Sequence, residues 1–369
     1  GSPLMNWASG GAKEYNAELC KRGADALGQA LALTESTNRY ELADFSEYND
    51  IFLLHNSSGK LNGVKESIFM ENIKDYSGRW RWNMVNDFRP QSIEYSGIKC
   101  YPTANYVNYY GMQNGYPIND MTKADAESGY DPTHPWKNRD PRFYKTIMFD
   151  GVKWKSTGGA GGTAELFTGG RESEEANEKK GCFTAYMNSK LCPQLMNTVD
   201  GYKENNIMIL SLMRLADVYL MYAEATAVGY NGPKGKAATY SLTAEEALNK
   251  IRERAGVAPV LDKFLGSTAD FLSELRRERA VELSFEGFRF IDLRRWMLLT
   301  QYPYTLKTKI EFDRADPSDY NYDEPEENAI KNLREVVLLE RKYTDRHYWY
   351  PLPKKDVSMY EGFYQNPGW

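Results

Sequence analysis

Glu278, Glu282 and Glu286 stand four residues apart in the segment Glu278–Trp296, ERAVELSFEGFRFIDLRRW, and so fall on one face of a helix. Grouped carboxylates are the apparatus of glycoside hydrolysis, where one gives a proton and another acts as nucleophile or base. The same segment carries Arg279, Arg289, Arg294 and Arg295 beside its acids. A carboxylate next to a guanidinium is held ionised, which makes it a poor proton donor. Val281, Leu283, Phe285, Phe288, Phe290, Ile291, Leu293 and Trp296 lie between the charges. These charges therefore sit close to apolar surface, where an ion is tolerated only when it is paired. The spacing predicts two helices separated at Gly287, with the glutamate face of the first meeting Arg289, Asp292 and Arg295 of the second.

Other residue types that carry chemistry are sparse. His55, His134 and His347 stand apart from one another and from any HExxH or nucleophile-elbow context, which argues against a zinc or triad hydrolase. Cys20, Cys100, Cys182 and Cys192 show no CxxC spacing and leave only a Cys182–Cys192 bridge open. The glycines of Gly158–Gly162 lack the GK[ST] ending of a phosphate loop and read as a surface loop. Asp313, Asp316, Asp319 and Asp323 could hold a hard cation, yet they lack the glycine and closing glutamate of an EF-hand and read as a solvated acidic loop. No cofactor and no metal site is expected.

Binding chemistry is better represented. Trp80, Arg81, Trp82, Asn86, Phe88, Arg89, Gln91 and Tyr95 mix flat rings with planar donors inside one short stretch. A sugar ring asks for that mixture, an apolar face on an aromatic and hydroxyls to amide or guanidinium groups. Trp80, Arg81, Trp82, Asn86 and Tyr95 are the predicted ligand contacts. The competing reading is that these rings plug the stretch onto the rest of the protein. With 27 Tyr, 8 Trp and 15 Phe, aromatics make up 14% of the chain, many of them among Asn, Gly, Asp and Pro, and loop-borne rings favour a recognition surface.

The elements that must position these residues read as mainly helical. Residues 11–34 form an amphipathic period, and KESIFMENI reads as a short strand. From Asp75 to Gly170 turn signals replace periodicity, which predicts a long irregular insert. Ile207–Val228, apolar nearly all round, predicts a central buried helix. Thr243 with Glu246 opens a helix that Gly256 stops, and Ser267 with Asp270 opens the charged one. Helices separated by short loops suggest tetratricopeptide-like helical hairpins, an α/α superhelix, with a large loop-rich insert carrying a few short strands.

Across 369 residues, 41% hydrophobic content supports a sizeable core. A net charge of -5, with no basic run longer than two residues, argues against a nucleic-acid partner. No apolar stretch approaches the length of a membrane span, and no signal peptide is present. The opening GSPLMNW reads as part of a processed or truncated chain.

The runs MRLADVYLMYAEA (Met213–Ala225), ALNKIRERAG (Ala247–Gly256), ERAVELSFEGFRFIDLRRW and the closing QNPGW, with NRDPRFYKTIMFDG at Asn138–Gly151, resemble the carboxy-terminal part of the SusD/RagB family. Ser2-Pro3-Leu4, followed by a helix ending in RYEL, resembles the end of the family's helical-repeat region. The resemblance implies a single SusD-like unit, residues 1–65 being the remainder of the helical repeats and 66–369 the carboxy-terminal region. It implies a non-enzymatic, surface-exposed outer-membrane lipoprotein of Bacteroidetes that captures oligosaccharide or polysaccharide and docks on a SusC-like, TonB-dependent transporter. Membrane contact would then run through a lipid anchor absent from this chain. The family's ligand residues lie in variable loops and transfer to no numbered position. Two other readings stand beside it: a glycoside hydrolase or lyase, and a helical-repeat scaffold for protein partners.

Overall fold

The computed structural model describes residues 1–54, 63–71, 88–89, 100–157, 159–174, 181–192, 194, 196–197, 199–200 and 207–369. In chain order the helices are α1 (Pro3–Ala8), α2 (Ala17–Thr37), α3 (Ala104–Val107), α4 (Pro141–Thr146), α5 (Leu215–Gly229), α6 (Ala244–Ala255), α7 (Thr268–Glu282), α8 (Phe288–Arg295) and α9 (Lys354–Val357). The strands are β1 (Leu53–Leu54), β2 (Ser67–Glu71), β3 (Ile147–Met148), β4 (Met187–Asn188), β5 (Ile207–Met208), β6 (Leu210–Arg214), β7 (Leu306–Arg314) and β8 (Ile330–Glu340). They pair as antiparallel ladders β1–β5, β2–β6, β3–β4 and β7–β8.

The helical body is built on α5, buried from Leu215 to Ala227 along most of its surface. Packed against it are α2, α6 and α7, with Ala24, Leu31, Leu248, Ile251, Phe271 and Leu275 in the shared core. Contact with α2 is close: a Cβ on Gly28 would stand 2.5 Å from Thr239 Oγ1 and 2.9 Å from Tyr240 Cβ. The expected boundaries of α6 hold, with a complete capping box at Thr243 and Glu246 and Gly256 closing the helix at φ 72°. Ser267 caps α7 by accepting from the Asp270 N–H.

Ile207–Val228 is not one helix. Ile207–Arg214 is extended as β5 and β6, and the helix starts at Leu215. A short apolar run fits helix and strand periods alike, and here cross-strand pairing with β2, aided by the Ser67 and Ser211 hydroxyls at 3.0 Å, decides it. The extended run carries Arg214 into the interior, where it is fully buried.

The turn-rich stretch from residue 100 onward is a second core rather than a set of open loops. Trp136 is fully buried, stacked on Phe149 at 4.9 Å and edge-on to Phe312 at 5.2 Å, and Phe143 stacks on Phe149 at 5.2 Å. Side chains satisfy the backbone that regular elements would otherwise satisfy. Buried Arg139 donates to the carbonyls of Tyr110 at 3.0 Å, Pro135 at 2.8 Å and Val107 at 3.1 Å. Asp120, Asp125 and Asp131 each accept from an N–H two residues on. Much of the aromatic excess is therefore core: Tyr48, Tyr110, Tyr186, Tyr222 and Tyr348 are fully buried, and the reading of loop rings as recognition does not apply to them.

The other departure is a long hairpin. β7 and β8 pair from Leu306↔Glu340 to Arg314↔Ile330, with the acidic loop at their tip. Thr308, Ile310, Phe312 and Arg314 turn inward, while β8 is largely exposed. Asp313 and Asp316 in and beside that loop bond Asn332 and Ser318, and no group of three metal-ligating side chains occurs among the described residues. The Cys182–Cys192 bridge is not formed: Cys182 Sγ donates to the Tyr186 carbonyl at 3.2 Å, and Cys192 Sγ to that of Met196 at 3.9 Å. Among the described residues no helix is long and apolar enough to cross a membrane.

Candidate functional site

The glutamates of α7 are fully engaged with cations, though not those of the expected second helix. Glu282 accepts from Arg142 at 2.9 Å, Arg214 at 2.6 Å and Arg254 at 2.5 Å. Glu278 accepts from Arg142 at 2.5 Å and Arg252 at 2.9 Å, and Glu286 from Arg214 at 2.8 Å and Lys190 at 2.7 Å. Only Arg279, which pairs with Asp292 at 3.1 Å and Asp217 at 2.7 Å, ties α7 to α8 directly. Arg295 joins Asp292 to Glu224, which also accepts from the Trp296 indole at 2.8 Å. Arg289 faces away, its guanidinium lying over the rings of Tyr109 at 4.7 Å and Tyr304 at 5.5 Å.

Burial alone would raise these carboxyls, and the surrounding guanidiniums more than reverse it: Glu224 and Glu274 are brought down to about 2, and Glu282 well below the usual carboxylate range. Acids so placed stay ionised and hold the elements together. Their outcome matches the ion-pair reading, with partners drawn from α4, β6 and α6.

The network also fixes the turn between α7 and α8. Phe285 has φ 62°, a left-handed conformation that a bulky residue rarely adopts. Lys190 donates to the carbonyls of Glu282 at 3.2 Å and Ser284 at 2.9 Å, and Arg214 to that of Glu282 at 2.7 Å, so the strained residue is gripped from both sides. Its ring reaches a surface cleft.

That cleft and a neighbouring groove lie beside the β7–β8 hairpin. The groove comprises two adjoining hollows of about 460 and 390 Å3 that share Tyr109, Pro117, Asn119 and Arg277. Tyr302, 77% exposed, and Tyr304 add rings; Asn105, Asn108, Thr308 and Glu335 add amide, hydroxyl and carboxylate groups. Asn105 is set by the hairpin edge, its amide donating to the Leu306 carbonyl at 2.8 Å and accepting from the Thr308 N–H at 3.3 Å. Asn108 Oδ1 and Arg289 Nη1 are buried and make no hydrogen bond. The groove thus offers rings, donors and acceptors together.

The cleft, of about 710 Å3, meets the groove at Arg289. Successive β7 residues point to opposite faces, so Leu306 and Thr308 line the groove while Lys307 between them lines the cleft. Tyr101, Phe183, Phe285, Phe290, Leu338 and Leu339 form its apolar walls.

The predicted contacts Trp80, Arg81, Trp82, Asn86 and Tyr95, with Gln91, lie outside the described residues. Phe88 and Arg89 from the same stretch are described and turn inward: Phe88 packs on the small core around Tyr48, and Arg89 is buried with donors to the carbonyls of Asn188 at 2.7 Å and Cys192 at 2.5 Å. Sequence reasoning passed over Asn105, Asn108, Tyr109, Asn119, Tyr302, Tyr304 and Glu335. The run YPTANYVNYY carries the same mixture of rings and amides as residues 80–95 and was the available signal.

A model of the SusD family matches residues 65–369. The chain belongs to the SusD family. Solved structures agree in fold with this SusD-family chain: a SusD-like protein from Bacteroides fragilis superposes with a TM-score of 0.67 at 23% identity, over 95% of this chain and 62% of that one. A SusD-like carbohydrate binding protein from the same species gives 0.61 at 19% identity, over 92% and 60%. The chain therefore spans about three fifths of the length of these relatives. No curated protein matches it.

Proposed function

We propose that this SusD-family chain captures a glycan at the cell surface without cleaving it and passes it to a TonB-dependent outer-membrane transporter, from which an outer-membrane lipoprotein location follows. The observation that carries the reading is the groove beside the hairpin, where Tyr109, Tyr302 and Tyr304 stand with amides, a carboxylate and two unsatisfied polar atoms. Stacked rings take the apolar faces of pyranoses, and mixed donors and acceptors take their hydroxyls. One solved relative is described as carbohydrate binding, which supports the same ligand class. Trp80, Arg81, Trp82, Asn86 and Tyr95 are proposed as further contacts; their stretch of chain re-emerges at Cys100 on the rim of the cleft.

Affinity gel electrophoresis through a panel of polysaccharides tests capture, and the protein should be retarded by at least one of them. Tyr302→Ala should weaken that retardation by about two- to tenfold, because ring stacking contributes about 0.5–1.5 kcal/mol, with no loss of stability at so exposed a position. Release of new reducing ends at catalytic rates would replace capture by hydrolysis or lysis. Hand-off is tested by co-purification with a TonB-dependent transporter from the native membrane.

A further inference from the structure

The cleft differs from the groove in what it can accept. Its charged lining is Lys307, Arg289 and Arg341, and no described carboxylate or amide side chain faces it. None of the three cations forms an ion pair among the described residues: Arg289 rests on two tyrosine rings, and Arg341 lies 5.8 Å from the ring of Tyr343. Arg289 Nη1 is buried with no acceptor. Helix α8 also begins here. Gly287 at its N-cap is exposed and supplies no side-chain cap, its first turn holds no acid, and Gly287, Arg289 and Phe290 all line the cleft. The uncapped N–H groups of that turn add partial positive charge to the same wall.

Three like charges and a helix N-terminus around one hollow repel one another until an anion arrives. The repulsion registers at Lys307, whose ammonium is brought down to about 8 by burial and then by Arg341 and Arg289. A neutral sugar brings hydroxyl donors that find few acceptors among these side chains, whereas an anion brings acceptors only. Phe183, Phe285, Phe290 and Tyr101 supply flat apolar surface for the ring that bears the charge. Arg289 lines both hollows, so one chain can lie in the groove and extend into the cleft.

We propose that the cleft formed by Lys307, Arg289, Arg341 and the start of α8 binds an acidic sugar residue, through a uronate carboxylate or a sulfate ester, on a glycan whose neutral residues occupy the groove. This rests on the glycan-capture reading.

Calorimetric titration of the full chain with matched probes tests it. Oligogalacturonate is compared with its carboxyl-reduced form, a sulfated galactan oligosaccharide with its desulfated form, and poly-glutamate serves as a peptide anion. At least one acidic glycan should bind about tenfold more tightly than its neutral counterpart, the contribution of one charge-assisted hydrogen bond. The arm in which this occurs distinguishes carboxylate from sulfate. Lys307→Met, which keeps the stem, and Arg341→Gln on the exposed strand should each abolish the preference while leaving the neutral glycan's affinity and the thermal unfolding midpoint unchanged. Equal binding of charged and neutral forms would overturn the cleft assignment and leave capture standing. Absence of binding to every glycan would overturn both, and tighter binding of poly-glutamate than of either acidic glycan would overturn the sugar assignment in favour of a peptide.

Discussion

At the scale of single residues, Glu282 is the junction on which the interior depends. Its carboxylate is fully buried and meets three guanidiniums. Glu282→Gln leaves those cations short of a charge partner and should lower the unfolding free energy by about 3–5 kcal/mol in urea titration. Glycan binding by the folded protein should be unchanged; a variant of parental stability that no longer binds would contradict the separation of scaffold from site. Acid should act through the same groups. Glu224 and Glu274 titrate at about 2 in the fold and near 4.5 when unfolded, so between those values the unfolded chain binds more protons. Their stabilisation is complete above pH 4.5 and is lost as pH falls toward 2, and thermal midpoints measured across that window should drop steeply. Four-residue spacing made the need for partners legible. It could not tell which arginines would come, because Arg142, Arg214, Arg252 and Arg254 are brought to α7 by tertiary contacts and not by local periodicity.

Among the elements, those whose ends carry their own chemistry were readable. Thr243 with Glu246 and Ser267 with Asp270 mark α6 and α7 because capping is decided within four residues of chain. Thr243→Ala should lower stability by about 1 kcal/mol with no effect on ligand affinity, measured by denaturation and titration of the same sample. Elements decided by a distant neighbour were not readable. β6 is a strand because β2 lies alongside, and the β7–β8 hairpin hid its period-two pattern under alternating charges, with Lys307, Lys309, Glu311 and Asp313 between inward Thr308, Ile310 and Phe312. Asn105 anchors α3 to that hairpin through both ends of its amide. Asn105→Ala should remove about 1–2 kcal/mol of stability and also weaken binding in the groove, the double effect expected where an anchor is also a wall.

For the molecule as a whole, composition pointed to aromatic recognition and the fold divides that signal. Trp136, Tyr110 and Tyr186 fill the second core, while Tyr302, Phe183 and Phe290 stay at the surface beside the hairpin. Composition counts rings but does not say which face of the chain they occupy. The charged lattice around α7 binds the two cores into one cooperative unit, joining Arg142 of the turn-rich region to Arg214 and Arg252 of the helical body. Native-state hydrogen exchange should give α4, α6 and α7 the same opening free energy, and earlier exchange of α4 would show that the cores open separately. Seen along the time axis of synthesis, the lattice sets an order. A chain emerging from its amino end presents Arg142, Lys190, Arg214, Arg252 and Arg254 before the acids of α7 exist to receive them. Until Glu278, Glu282 and Glu286 follow, those cations keep their segments apart, and the protein commits to its interior only when that late stretch arrives.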